Sequence, residues 1–167
     1  QVREHFPIPK APQVKIRVGD GRAVLDGTRE GSFDVIVRDA FASGVTPDHL
    51  RTVECTDQVR RVLTASGVYL VNCAHGGPAN ARQDVAALQD VFPFVASIQD
   101  PKVGRGGRRG NVVALASAAD IVDVDQIDRA LRMLALPARI TRPADLARWV
   151  AGTPALTDTQ VGYPPAD

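Results

Sequence analysis

Two short runs constrain the fold more than anything else in the chain: Phe33-Asp34-Val35-Ile36-Val37-Arg38-Asp39 and Val68-Tyr69-Leu70-Val71-Asn72-Cys73. Their centres are almost continuously apolar. Runs of this length and composition belong to strands buried on both faces, as in a parallel sheet. Parallel neighbours need a long crossover between them. The intervening residues supply one, because Leu50, Val53, Val59, Val62 and Leu63 fall at helical spacing. Thr46-Pro47-Asp48 reads as the start of that helix, an N-cap with proline at the first helical position, and Ser66-Gly67 reads as its stop.

The same alternation runs through the rest of the chain. Val14-Lys15-Ile16-Arg17-Val18 has the two-residue period of a strand, closed by Gly19-Asp20-Gly21. A short helix from about Arg22 to Leu25 precedes the Asp26-Gly27 turn. Pro78 to Val91 reads as a helix, Phe94 to Ile98 and Asn111 to Ala116 as strands, and the glycine-rich segment 104–110 as the hairpin loop joining them. Asp125 to Leu134 is a further helix, and another starts at Thr141-Arg142-Pro143 and runs to Val150. The proline-rich tail from Gly152 is expected to be extended. Strands alternating with helices and closing on a hairpin predict an α/β sheet, mostly parallel with one antiparallel strand. Such sheets take ligands beyond the carboxyl ends of their strands, where Asp20, Asp39 and the segment 73–77 fall. The opening Val2 to Phe6 reads as the last turn of a helix stopped by Pro7 and Pro9, so preceding sequence is expected to be missing.

Composition narrows the function classes. The 167 residues suit one domain, and 44% hydrophobic with 23% charged residues is a globular mix. A net charge of +1 gives no field that would favour nucleic acid or a membrane surface. No apolar run is long enough to span a bilayer and the first residues have no apolar signal core, so a cytoplasmic location is expected. Cys55 and Cys73 make no disulfide framework, and with His5, His49 and His75 they make no metal-ligand pattern.

The candidate chemistry rests on two aspartates. Asp20 follows a strand and precedes Gly21; its carboxylate could accept from an adenine amino group while the glycine allows close backbone approach, or it could simply cap the next helix. Asp39 ends the most apolar strand, where partial desolvation would suit a general base; a turn or cap is the alternative. Arg105, Arg108 and Arg109 lack an interleaved aromatic platform for nucleic acid and read as a solvated hairpin tip. His75-Gly76-Gly77 reads equally as a pocket wall or an ordinary strand-to-helix turn.

Taken in order, Val18-Gly19-Asp20-Gly21-Arg22-Ala23, Phe33 to Phe41, Pro47-Asp48-His49-Leu50-Arg51-Thr52-Val53-Glu54 and Leu63 to Asn72 resemble the spermidine/spermine synthase family, closest to its bacterial spermidine-synthase-like branch. Leu156-Thr157-Asp158 with Tyr163-Pro164-Pro165 resembles tails in that branch. The resemblance implies a Rossmann-like sheet of the S-adenosylmethionine methyltransferase type, strand order 3-2-1-4-5-7-6, with the first two strands absent here. It implies aminopropyl transfer from decarboxylated S-adenosylmethionine to an amine, in a cytoplasmic homodimer with no tightly bound cofactor. Asp20, Gly21, Asp39 and Ala40 would hold the nucleotide, and Asp39 would receive the amine's proton. Where polyamine-making members carry a second aspartate, this chain has Ala42, which removes an anionic anchor for the amine. A partial domain over residues 1–134 and a C-terminal helix and tail over 135–167 are expected. So is an inactive isolated chain, whose bare sheet edge either pairs with another chain or lets its first strand move. An S-adenosylmethionine-dependent methyltransferase and a non-catalytic dimerisation module are the alternatives.

Overall fold

The computed structural model describes residues 13–103, 105–119, 121–135 and 138–164. The expected helical turn before Pro7 lies outside them. The described elements run α1 (Gly21–Asp26), β1 (Phe33–Arg38), α2 (Val53–Val62), β2 (Leu63–His75), α3 (Ala81–Val91), β3 (Phe94–Gln99), β4 (Gly110–Ser117), α4 (Val124–Arg132), β5 (Arg139–Thr141), α5 (Pro143–Val150) and α6 (Asp158–Val161). The five strands form one sheet in the order β1-β2-β4-β3-β5. β1 and β2 pair parallel, in register from Val35 opposite Val68 to Arg38 opposite Val71. β4 runs antiparallel to both β2 and β3, so β1, β2 and β3 share one direction. The β3–β4 hairpin is the one expected, and β5, too short to leave a period in the sequence, adds an antiparallel strand beside β3.

The core lies on one side of this sheet. Tyr69, Val71 and Cys73 of β2 and Val112, Ala114 and Ala116 of β4 alternate inward. Val59 of α2, Val85 and Leu88 of α3 and Leu146 and Val150 of α5 cover them. Residues beyond 134 thus contribute to the same core as those before it. The other face carries Phe33, Val35, Val37 and Val113, each more than a third exposed. Burial of β1 on both faces is therefore corrected: Val35 is 54% and Val37 63% exposed. Apolar continuity reports what a strand can bury, while the helices α1, α2, α3 and α5 all happen to pack on one side.

Two boundaries differ from the sequence reading for local reasons. The helix expected at Thr46-Pro47 begins at Val53, where Thr52 Oγ1 accepts from the Cys55 amide. Pro47 instead precedes a single 3-10 turn, Asp48–Leu50. The stop expected at Ser66-Gly67 moves to Leu63, which already pairs with Phe33 in the sheet. Val14 to Val18, expected as the first strand, pairs with nothing among the described residues; Val14 and Ile16 are about half exposed. Alternation gives a segment two faces but does not supply the neighbour whose amides and carbonyls would complete a ladder.

The tail is not simply extended. Thr157 and Gln160 form a reciprocal capping box that starts α6. The Val53 amide donates to Leu156 O at 2.9 Å, and the Asp158 amide to Glu54 Oε2 at 2.9 Å. Arg22 then clasps Asp158 with both terminal nitrogens, at 3.3 and 2.9 Å, while Thr52 Oγ1 donates to the same carboxylate at 2.7 Å. Arg22 is almost wholly buried, so removing its counter-charge leaves a guanidinium in a site that cannot hydrate it. Asp158→Ala should lower unfolding free energy by about 3 kcal/mol. Arg148→Ala, which breaks an exposed pair with Asp145, should cost about 0.5 kcal/mol or less. Urea denaturation of both variants checks this, and equal midpoints would remove the clasp as a determinant of stability.

Candidate functional site

A cleft of about 400 Å³ wraps the open edge of β1. Gly19 and Gly21 form one wall and Asp39 and Ala40 the other, with Leu50, Val59 and Tyr69 deeper in. Because side chains alternate along β1, Ile36 and Arg38 reach the cleft from the helix-covered face and Val37 and Asp39 from the bare one. Three of the four residues implicated from sequence, Gly21, Asp39 and Ala40, therefore meet in one cleft.

Asp20 stands between two residues of the same wall, and its carboxylate is turned to local partners. Oδ1 accepts from the Arg22 amide at 2.9 Å and the Ala23 amide at 3.1 Å, which makes it the N-cap of α1. Oδ2 lies 2.9 Å from His49 Nε2. The His49 ring stacks on Tyr163, centroids 5.4 Å apart, and Arg22 lies 5.0 Å over that same Tyr163 ring. Helix start, 3-10 turn and tail thus converge on Asp20. The His49 hydrogen bond first, then the Ala23 amide, hold its carboxyl below the usual carboxylate range.

Asp39 Oδ1 accepts from Asn72 Nδ2 at 3.0 Å, and Asn72 Oδ1 accepts in turn from Asn111 Nδ2 at 3.0 Å. The partial desolvation expected of Asp39 is not found; the residue is exposed, since the edge of β1 beside it has no neighbour among the described residues. Ala42 closes a tight turn, exchanging backbone hydrogen bonds with Val45 at 2.8 and 3.2 Å. Ser43 and Gly44 occupy it with φ of 52° and 82°, a two-residue turn that only permissive residues fill without strain.

The residue the sequence least advertised is Arg38. It sits in the most apolar strand, yet its guanidinium is buried against Asp84 of α3 and donates to Leu50 O at 2.8 Å. Arg51 grips the same carboxylate through Nε at 3.1 Å and Nη2 at 3.0 Å. Burial works against the Arg38 charge, but Tyr69 and Asp84 outweigh it and its pKa is raised. Burial, reinforced by Asp84, pushes the neighbouring Cys73 thiol up to about 12. Nothing in the sequence signals the triad, because Arg38 and Asp84 lie 46 positions apart. Both cysteines are buried free thiols.

No family model matches the chain, and no curated protein sequence does. Solved structures do. A human methyltransferase-like protein solved in complex with SAH shares the fold over 95% of this chain and 69% of its own, at 15% identity and a TM-score of 0.57. A spermidine synthase solved in complex with the transition-state analogue AdoDATO does so over 93% of this chain and 53% of its own, at 16% identity and 0.56. The chain thus has the Rossmann-like sheet of the S-adenosylmethionine methyltransferase type.

The chain is similar to a probable spermidine synthase from Corynebacterium glutamicum, with 35% identity and a TM-score of 0.82 over 93% of this chain. It spans 58% of the length of that protein. Likeness to the spermidine synthases, first read from motifs, therefore holds in sequence and in fold. No helix of the described residues is long and apolar enough to cross a membrane.

The Asp20–His49 contact makes a pH prediction. A carboxyl with its folded pKa below the unfolded value contributes stability above about pH 4. That contribution is lost as pH falls through the folded value. In a carbon-detected NMR titration, Asp20 should have a midpoint below the ordinary carboxylate value, and His49→Ala should move it upward. A midpoint indifferent to His49 would show that the hydrogen bond does not govern this carboxyl.

Proposed function

We propose that this chain is the acceptor-side part of an enzyme that transfers an aminopropyl group from decarboxylated S-adenosylmethionine to an amine. The single observation that carries the reading is the cleft at the edge of β1, where Gly21, Asp39 and Ala40 come together beside Asp20. Similarity to the probable spermidine synthase from Corynebacterium glutamicum and to the fold of the analogue-bound spermidine synthase supports it.

In this reading Gly21 lets the adenine approach the backbone, and Asp20, its carboxylate oriented by the α1 cap and His49, accepts from the adenine amino group. Asp39 and its Asn72–Asn111 support face the incoming amine. Asp39 attracts the protonated amine and takes its proton. The freed nitrogen lone pair attacks the aminopropyl carbon bonded to the sulfonium sulfur. A carbon–nitrogen bond forms as the carbon–sulfur bond breaks, and the electron pair leaves on sulfur as methylthioadenosine. The leaving group is already cationic, so positioning supplies much of what remains. A cytoplasmic homodimer belongs to the same proposal.

A methyltransferase on this sheet would need Asp20 but not Asp39 as an amine base, so cosubstrate preference separates the two. A non-catalytic module is favoured by the exposure of Asp39 beside a strand edge that meets no other strand among the described residues, and by Ala42. The test uses a longer protein that also holds the length by which the corynebacterial relative exceeds this chain. It should turn over decarboxylated S-adenosylmethionine in preference to S-adenosylmethionine. Asp39→Asn should reduce transfer about 10²–10⁴-fold while leaving methylthioadenosine affinity unchanged. Full turnover by that variant would exclude Asp39 as the base. The chain by itself should bind methylthioadenosine more weakly than micromolar in calorimetry.

A further inference from the structure

A second cavity, of about 440 Å³, opens beyond the carboxyl ends of β2 and β3 and shares no lining residue with the β1 cleft. Arg82 in the first turn of α3, Arg105 in the β3–β4 loop and Arg139 at the start of β5 all line it, with Gln99, Thr141 and Trp149. Three guanidiniums around one small volume repel one another unless counter-charge is supplied. Three other arginines of these segments have it: Arg108 pairs with Asp100, Arg142 with Asp125 and Arg148 with Asp145. Among the described residues Arg82, Arg105 and Arg139 have no such partner. The one carboxylate in the lining, Asp145, is the one that Arg148 holds.

The wall behind these arginines is likewise short of acceptors. Arg82 lies 5.2 Å over the Trp149 ring, and its Nε is buried with no hydrogen-bond partner among the described residues. His75 packs on the same indole at 5.2 Å, and its Nδ1 is also buried without a partner. The Arg105–Arg109 loop is solvated, as expected of a hairpin tip, but one of its arginines is anchored. Arg109 packs so close to Gly77 that a Cβ there would stand 2.9 Å from its Cζ, and this fixes the loop against the turn after β2.

We propose that this cavity binds the phosphate or diphosphate group of a small molecule. Guanidiniums stay charged at every accessible pH and meet phosphate oxygens with paired N–H donors. A group with two or more negative charges and several acceptor oxygens satisfies three of them at once, which a single carboxylate does not. The volume suits a small ligand. The site stands independently of the aminopropyl-transfer reading, because neither its residues nor its test involve Asp20 or Asp39.

Calorimetric titration of the chain with inorganic pyrophosphate tests it. Saturable binding is expected, tighter for pyrophosphate than for inorganic phosphate and weakened by added salt. The double variant Arg105→Gln with Arg139→Gln, both exposed positions, should lose about tenfold or more in affinity with an unchanged melting temperature. The charge-matched control Arg129→Gln with Arg132→Gln should bind as the unsubstituted chain does. Adenosine diphosphate binding at least as well as pyrophosphate, with the same dependence on Arg105 and Arg139, would identify a nucleotide as the source of the diphosphate. No saturable binding of pyrophosphate up to about 10 mM would overturn the proposal, as would equal losses in the two double variants. A single-stranded oligonucleotide bound far more tightly than any of these through the same arginines would overturn it in favour of a nucleic-acid surface.

Discussion

A buried carboxylate must be neutralised where it lies, and Asp84, 4% exposed, is the charge around which this structure is arranged. Its two counter-charges come from different elements. Arg38 extends from the end of β1, and Arg51 from the residues between the 3-10 turn and α2. Arg38 also holds Leu50 O, and Arg51 holds Asn80 O at the start of α3. The triad thus ties together the end of β1, the entry to α2 and the entry to α3. These segments also place Asp39 and Leu50 around the first cleft. Ion clusters of this kind contribute less to net stability than to fixing one arrangement, since their desolvation offsets much of the attraction.

The second organising fact is one-sidedness. Every helix that contributes to the core packs on the face formed by Tyr69, Val71 and Cys73. The opposite face keeps Phe33, Val35 and Val37 in contact with water. The sheet and its first cleft therefore have one finished wall each. A probable spermidine synthase to which this chain is similar has more chain than this one covers.

Much of this was legible in the sequence because it depended on local pattern. The strands that start near Phe33, Val68, Phe94 and Asn111 showed in their apolar runs, and the cleft residues Gly21, Asp39 and Ala40 followed from motif order. What was illegible depended on partners remote in the chain. Arg38 reads as a polar interruption until Asp84 is placed beside it. His49 gave no sign of facing Asp20, 29 residues away. Arg22 gave none of reaching Asp158, 136 residues away. Val14 to Val18 failed for the converse reason, since its alternation was real but a ladder needs a second strand. The α6 capping box was readable at Thr157 and Gln160, yet the surrounding prolines drew the tail toward an extended reading.

The two borders of the sheet are unequal. At β5 the final strand is three residues long and opens with a cation at Arg139, the kind of border that discourages another strand from adding. At β1 the border is six residues long, with Val35 and Val37 on its bare face, and its outer amides and carbonyls meet no other strand among the described residues. Growth of this sheet is accordingly directional: it can be extended from the β1 side, and its far side is sealed.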